Sequence, residues 1–362
     1  MMKKLHAYGL SVLAALGFGA AESYAQVEMS AFVDFYYGYN FNKEDPSLRT
    51  FDTQHNTFSL ALAEVAFAKA PTAASRVGGR IDLNFGPTAD VVAGFEPGGT
   101  AGTEVYKHLQ QAYISVMATD ALTLDFGKFV TPMGAEVIES QDNMNYSRGI
   151  LFGFAIPFYH SGVRAMYSAS DQLTLSGYVV NGWNNSFENN SDKTLIGSVA
   201  FAPNEQMTWY GNFIAGKEDD YDGNGDEDLL WVFDTTLSFA ATETVTLMAN
   251  FDFGSATDAD PVTAGDPATF WGIAAYARLQ AQGDWAVAGR FEFVDDGSDG
   301  FMTIGQKVQS FTATSDHTLL SDLIARFEFR FDTAENDFFT DADGDPSQNQ
   351  FSLTAGLVYE LP

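Results

Sequence analysis

The stretch DLIARFEFRFD, residues 322–332, alternates in a way that only an extended chain can use. Leu323, Ala325, Phe327, Phe329 and Phe331 fall on one side, and Asp322, Arg326, Glu328, Arg330 and Asp332 on the other. Period two is the signature of a strand, because successive side chains of a pleated backbone point to opposite faces. In a soluble sandwich the aromatic face is the core and the charged face meets bulk water. In a membrane barrel the aromatic face meets lipid and the charged face lines a lumen. The stretch alone fits both.

Working outward, sixteen segments share this alternation: residues 28–40, 53–69, 75–85, 107–119, 121–130, 158–169, 171–183, 190–203, 205–217, 226–240, 242–254, 267–281, 283–295, 305–315, 317–331 and 348–360. The connections between them are short and long by turns. The short ones are residues 70–74, Thr119-Asp120, residues 169–171, Pro203-Asn204, Ala241, Gln282 and Asp316; long ones such as residues 41–52, 86–106 and 332–347 lie between them. A sandwich has no reason to sort its loops by parity, whereas a chain threaded back and forth through a membrane does. Tight turns then face the periplasm, and long loops face outside. The expectation is an all-β, transmembrane, antiparallel up-and-down β-barrel of about 16 strands. Acidic runs at residues 219–228, 258–266, 295–299 and 332–345 all fall in long connections, which places much of the net charge of −30 at one rim.

Composition narrows the function classes. With 18 Lys and Arg against 48 Asp and Glu, the chain repels a phosphate backbone, so nucleic acid is not an expected partner. Zero cysteines exclude a disulfide scaffold, thiolate chemistry and covalent haem attachment in this chain. Lys3 and Lys4, then the apolar run 10–21, then Ser23-Tyr24-Ala25, read as a secretory signal peptide over residues 1–25, with a mature barrel domain over 26–362. No other run approaches the roughly 18 consecutive apolar residues of a transmembrane helix. Aromatic residues at 14% suit half-buried strands and interfacial girdles.

Three runs carry a more specific signal: GKFVTPMGAEVIES (residues 127–140), NMNYSRGILFGFAIPFYHSGVR (143–164) and YVVNGWNN (178–185). They resemble the OmpL-like outer-membrane β-barrel porins, and FEFRFD (327–332) is similar to that family's acidic-aromatic-basic strand near the C-terminus. The resemblance implies a porin-type barrel in the cell outer membrane, and so passive diffusion of small hydrophilic solutes or ions. The partners that follow are outer-membrane lipids, the barrel-assembly machinery and a homo-oligomer.

A sixteen-stranded barrel is wide enough for an aqueous channel unless something fills it. The third long loop, residues 131–157, carries Met133, Ile138, Met144, Ile150, Leu151, Phe152 and Phe154, which is unusual for a loop bathed in water. It is expected to fold inward and narrow the pore, presenting Glu136, Glu139, Asp142 and Arg148 to the passage; an exposed lid or a subunit contact is the alternative. Across from it, strand parity turns Arg80, Arg164, Arg290, Arg326 and Arg330 toward the lumen, with Asp82, Asp125, Glu292 and Glu328 on the same face. Such rings either tune ion preference or pair off as cross-strand partners. The excess of acid points to weak cation preference.

Asp220, Asp222 and Asn224 carry the opening spacing of a calcium loop, but Trp231 stands at its twelfth position; a calcium site and a solvated acidic loop both fit. Asp341, Asp343 and Asp345 repeat the spacing. No other cofactor is implied. No catalytic residues are expected. His160 and Ser161 are adjacent and so lie on opposite faces of a strand, and no nucleophile elbow is present. An outer-membrane hydrolase, a structural or adhesive barrel, and the sheath of an electron conduit with a haem-bearing partner stay open as alternatives to a porin.

Overall fold

Each alternating segment becomes a strand hydrogen-bonded to its neighbours in sequence. In the computed structural model, which describes residues 26–95, 106–218, 228–257, 266–281, 283–297 and 301–361, the strands run in this order. They are β1 (Glu28–Asn40), β2 (Thr57–Lys69), β3 (Val77–Phe85), β4 (Leu109–Met117), β5 (Leu122–Val130), β6 (Tyr159–Ser170), β7 (Leu173–Val180), β8 (Thr194–Asn204), β9 (Met207–Lys217), β10 (Leu229–Ala240), β11 (Val245–Ala256), β12 (Ala268–Gln280), β13 (Trp285–Asp295), β14 (Lys307–Leu320), β15 (Leu323–Ala334), a two-stranded ribbon β16 (Phe339–Thr340) and β17 (Pro346–Ser347), and β18 (Asn349–Leu361). Sixteen of them close into one antiparallel barrel, sealed where Ala31 to Asn40 of β1 pair with Leu361 to Ser352 of β18. The signal-peptide reading of residues 1–25, the candidate calcium residues Asp220, Asp222 and Asn224, and the Gln282 turn lie outside the described residues.

Exposure settles the two readings of the opening stretch. Phe327 is 57% exposed and Phe329 40%, while Arg326 and Arg330 on the opposite face are 1% exposed. A soluble sandwich would invert these values, so the aromatic face is the one turned to lipid. Cross-strand aromatic pairs stiffen that outer face. Phe331 stacks on Phe351 at 4.5 Å between β15 and β18, and Phe291 on Phe311 at 4.8 Å between β13 and β14.

The short turns share a chemical device. The Thr119 hydroxyl accepts from the amides of Ala121 and Leu122, and that of Thr242 from Thr244 and Val245. Ser170 and Asn204 do the same for Gln172 and Gln206. A side-chain oxygen thus replaces a backbone acceptor and tightens the reversal. Two expected turns are corrected. Pro203-Asn204 ends β8, and the chain reverses at Glu205-Gln206. Asp316 lies inside β14, and the chain reverses at Ser321-Asp322, after a register slip between Thr318 and Leu320. The Ser315-Asp316 pair has turn-like composition, but the Asp316 carboxylate faces inward and is held by Arg278 at 2.6 Å and Arg326 at 3.0 Å.

Candidate functional site: a loop inside the barrel

The apolar groups of residues 131–157 cannot stay in water, and the loop takes them into the lumen. Met133, Ile138, Met144, Ile150, Leu151 and Phe152 are all buried in one cluster with Tyr36 of β1, Val294 of β13, and Leu48 and Phe51 from the first long loop. Phe152 packs against Phe158 at 5.5 Å and against Phe51 at 6.0 Å. A single wide helical turn, Leu151–Ala155, shapes this half of the loop. Two glycines permit the close approach. A Cβ on Gly356 of β18 would lie 2.7 Å from the Tyr146 ring, and one on Gly149 would collide with the Glu292 carboxylate.

Polar bonds then fix the loop to the wall formed by β13, β14 and β15. Arg290 donates to Glu136 at 2.6 Å and to the Ser147 carbonyl at 2.6 Å, and pairs with Glu292 at 3.0 Å. Glu328 accepts from the amides of Tyr146 at 2.6 Å and Ser147 at 3.0 Å. Arg326 donates to the carbonyls of Ser140 and Asn143, and Arg330 to those of Arg148 and Leu48. Tyr146 also donates to Asp34 of the nearby β1 at 2.8 Å, and across the lumen Gln110 of β4 donates to Glu139. The loop therefore spans the bore from one wall to the other. Charges removed from water need such partners, and here guanidinium groups and backbone carbonyls supply them.

These contacts revise the expected roles. Arg290, Glu292, Arg326, Glu328 and Arg330 do point into the lumen, but they lie against the loop instead of across from it, at 0–3% exposure. Glu136 and Arg148 are buried at 5% and 3% and do not face the passage. Arg148 turns back onto the carbonyls of Val137, Ile138 and Tyr146 and lies 5.1 Å over the Phe51 ring. The physical reason is that the loop's own carbonyls needed donors once buried. Of the four predicted loop charges, Glu139 is half-buried and Asp142 keeps an exposed edge, so these two are the ones that meet solvent. On the far wall Arg80 pairs with Asp82 at 2.8 Å, and Arg164 with Asp125 at 2.6 Å between the rings of Tyr113 and Phe129.

Asp142 lies in the short helical turn Ser140–Asp142, near Arg326, Arg80, Glu139 and Glu360. Loss of surrounding water pushes its carboxyl up to about 6, and Glu139 and Glu360 push in the same direction, against the pull of Arg326 and Arg80. The sequence reading missed the first long loop as part of the site. Leu48 and Phe51, apolar residues in the second half of a largely polar connection, were the available signal, and Arg49 and Asp52 form a buried pair beside them at 3.0 Å. Asp341, at the rim, spends one carboxylate oxygen on the amides of Asp343 and Asp345.

A closed sixteen-stranded barrel with lipid-facing aromatics and a long loop folded into its bore is the architecture of an outer-membrane porin. The family comparison agrees: the model of the family described as "Putative beta-barrel porin-2, OmpL-like" matches residues 26–361, and the chain belongs to that family. It is an outer-membrane protein. Among solved structures it is similar to the anion-selective porin from Comamonas acidovorans (10% identity, 93% of this chain and 100% of that one, TM-score 0.64). It is also similar to the outer membrane channel DcaP of Acinetobacter baumannii (15% identity, 94% and 99%, TM-score 0.59). A third is the outer membrane protein OmpT of Vibrio cholerae in its trimer form (8% identity, 94% and 100%, TM-score 0.61). No curated protein matches the chain.

Proposed function

We propose that this porin passes small hydrophilic solutes and ions by passive diffusion, and that the loop at residues 131–157 sets the size and charge of what passes. The observation that carries the reading is the two-sided lumen. One side is packed by the loop against β13–β15. On the other, the inner ends of β6–β9 present Ser168, Ser176, Ser198, Thr208 and Tyr210, all half-exposed, on the same face as Arg164 and Asn212. A hydroxyl-lined wall stays wet and offers hydrogen bonds without a fixed charge. Arg80 and Arg164 are offset by their partners Asp82 and Asp125, which leaves Glu139 and Asp142 as the unbalanced charges along this path and favours weak cation preference at neutral pH.

Liposome swelling with neutral sugars of increasing size tests this directly. Entry of small sugars with a sharp size limit is expected. No swelling with any solute overturns it and favours a second reading, a non-conducting structural or adhesive barrel, to which the filling of the lumen by two loops lends support. The chain reads as non-enzymatic: His160 is fully buried with its ring nitrogens on the Gly182 carbonyl at 3.0 Å and the Thr131 hydroxyl at 3.2 Å, far from the role of a general base. A homo-oligomer in the membrane completes the proposal, with chemical cross-linking in native membranes as its check.

A further inference from the structure

We propose that residues 47–52 of the first long loop form a strap over the inward loop, and that its lifting and seating open and close the extracellular half of the bore; the inference rests on the pore reading above. The strap lies against the wide helical turn Leu151–Ala155. Phe51 packs on Phe152 and on Phe158, each at 6.0 Å, and carries the Arg148 guanidinium over its ring at 5.1 Å. The Thr50 side chain fills the space that a Cβ on Gly153 would take. None of this is built into the sheet. Among the described residues, positions 44–55 make no backbone-to-backbone hydrogen bond. Side chains hold the strap to the wall instead. Gln350 of β18 accepts from the Ser47 amide at 2.9 Å and donates to its carbonyl at 3.0 Å, Arg330 donates to the Leu48 carbonyl at 2.9 Å, and Arg49 donates to the Ser352 hydroxyl. Water can stand in for each of these bonds when the strap lifts.

The strap's charges are self-contained. Arg49 pairs with Asp52 at 3.0 Å inside the segment, so both leave the lumen together, whereas Glu136 of the inward loop is bound to Arg290 of the wall. Separating a buried pair strands its partner, so the inward loop stays in place when the strap lifts. The seated arrangement is also strained. Leu48 is buried with φ at 56°, a left-handed backbone that a leucine side chain disfavours. Arg49 Nε and Thr50 Oγ1 are buried without hydrogen-bond partners. Lys43 at φ 65° and Asn56 at φ 50° flank the segment, and loop residues of this kind absorb the backbone rotation of a hinge. Apolar packing thus holds the strap down while strain and unmet polar atoms push it up, which is the balance of an element with two positions.

The chain has no cysteine, which makes a disulfide lock a clean test. A Cβ on Gly153 would lie 3.5 Å from that of Thr50, within the span a disulfide bridges. Thr50→Cys with Gly153→Cys is recorded as single channels in planar bilayers after mild oxidation, and again after a thiol reductant is added to the same channel. The parent should switch between two conductance levels. The oxidised variant should lose the larger level, and reductant should restore it; because the two forms are one folded polypeptide, that difference is not a folding defect. Phe51→Ala, which weakens the grip, should spend several-fold more time in the larger level. An oxidised channel that visits the larger level as often as the reduced one overturns the strap, and so does a parent with a single level that Phe51→Ala leaves unchanged. A silent parent beside a conducting Phe51→Ala supports the strap. Silence in the parent, in Phe51→Ala and in the reduced variant contradicts the pore reading itself.

Discussion

Arg290 shows how the site depends on single residues. Its guanidinium is wholly buried between Glu136 of the loop and Glu292 of its own strand, and it also holds the Ser147 carbonyl. Removing one member of a buried ionic group strands the others, at a cost of about 3–5 kcal/mol. Arg290→Met is therefore expected to lower the melting temperature, read by circular dichroism, and adding Glu136→Gln should recover part of the loss. At the same scale Asp142 is a pH-dependent charge. Its carboxyl is raised to about 6, so it is neutral below that value and ionised above it. Cation preference, read as reversal potential across a planar bilayer, should grow as pH rises from about 5 to about 7, since most of a titration falls within one pH unit of its midpoint. Asp142→Asn should flatten that dependence.

Strand β15 was legible from sequence because parity is a local property. Each residue of FEFRFD needs only its two neighbours to declare its face, and the lipid side then follows from the loop rhythm. Phe329 sits near the middle of β15 on that side. Phe329→Arg places a charge in hydrocarbon and should cost roughly 2–4 kcal/mol in urea unfolding from lipid vesicles. What parity could not supply was position across the barrel. Glu136 and Arg290 are 154 residues apart, and nothing in either strand or loop pattern marks them as partners. The same limit produced one of the misplaced turns, because Asp316 has the composition of a turn until Arg278 and Arg326 are brought beside it by the closed sheet. The apolar content of the third loop did carry its inward fold, but its two buried charges were assigned to the passage because burial depends on contacts formed only after the loop docks.

At the scale of the molecule, the barrel turns a soluble protein inside out. Apolar side chains face lipid, charges face inward, and a second small core of loop residues forms within the lumen. That inner core explains how so many arginines and acids can be buried at once: they form the seam between loop and wall, where Arg290, Arg326 and Arg330 each find both a carboxylate and backbone carbonyls. In the proposed reading, the wall left bare by the loop holds its charges in the pairs Arg80–Asp82 and Arg164–Asp125, so the loop sets both the width and the charge of the path beside it. Single-channel recording of the parent against a variant lacking residues 135–153 tests this most directly. A small conductance is expected for the parent and a several-fold larger one for the variant, with its pH dependence gone. Unchanged conductance in a folded variant would contradict it.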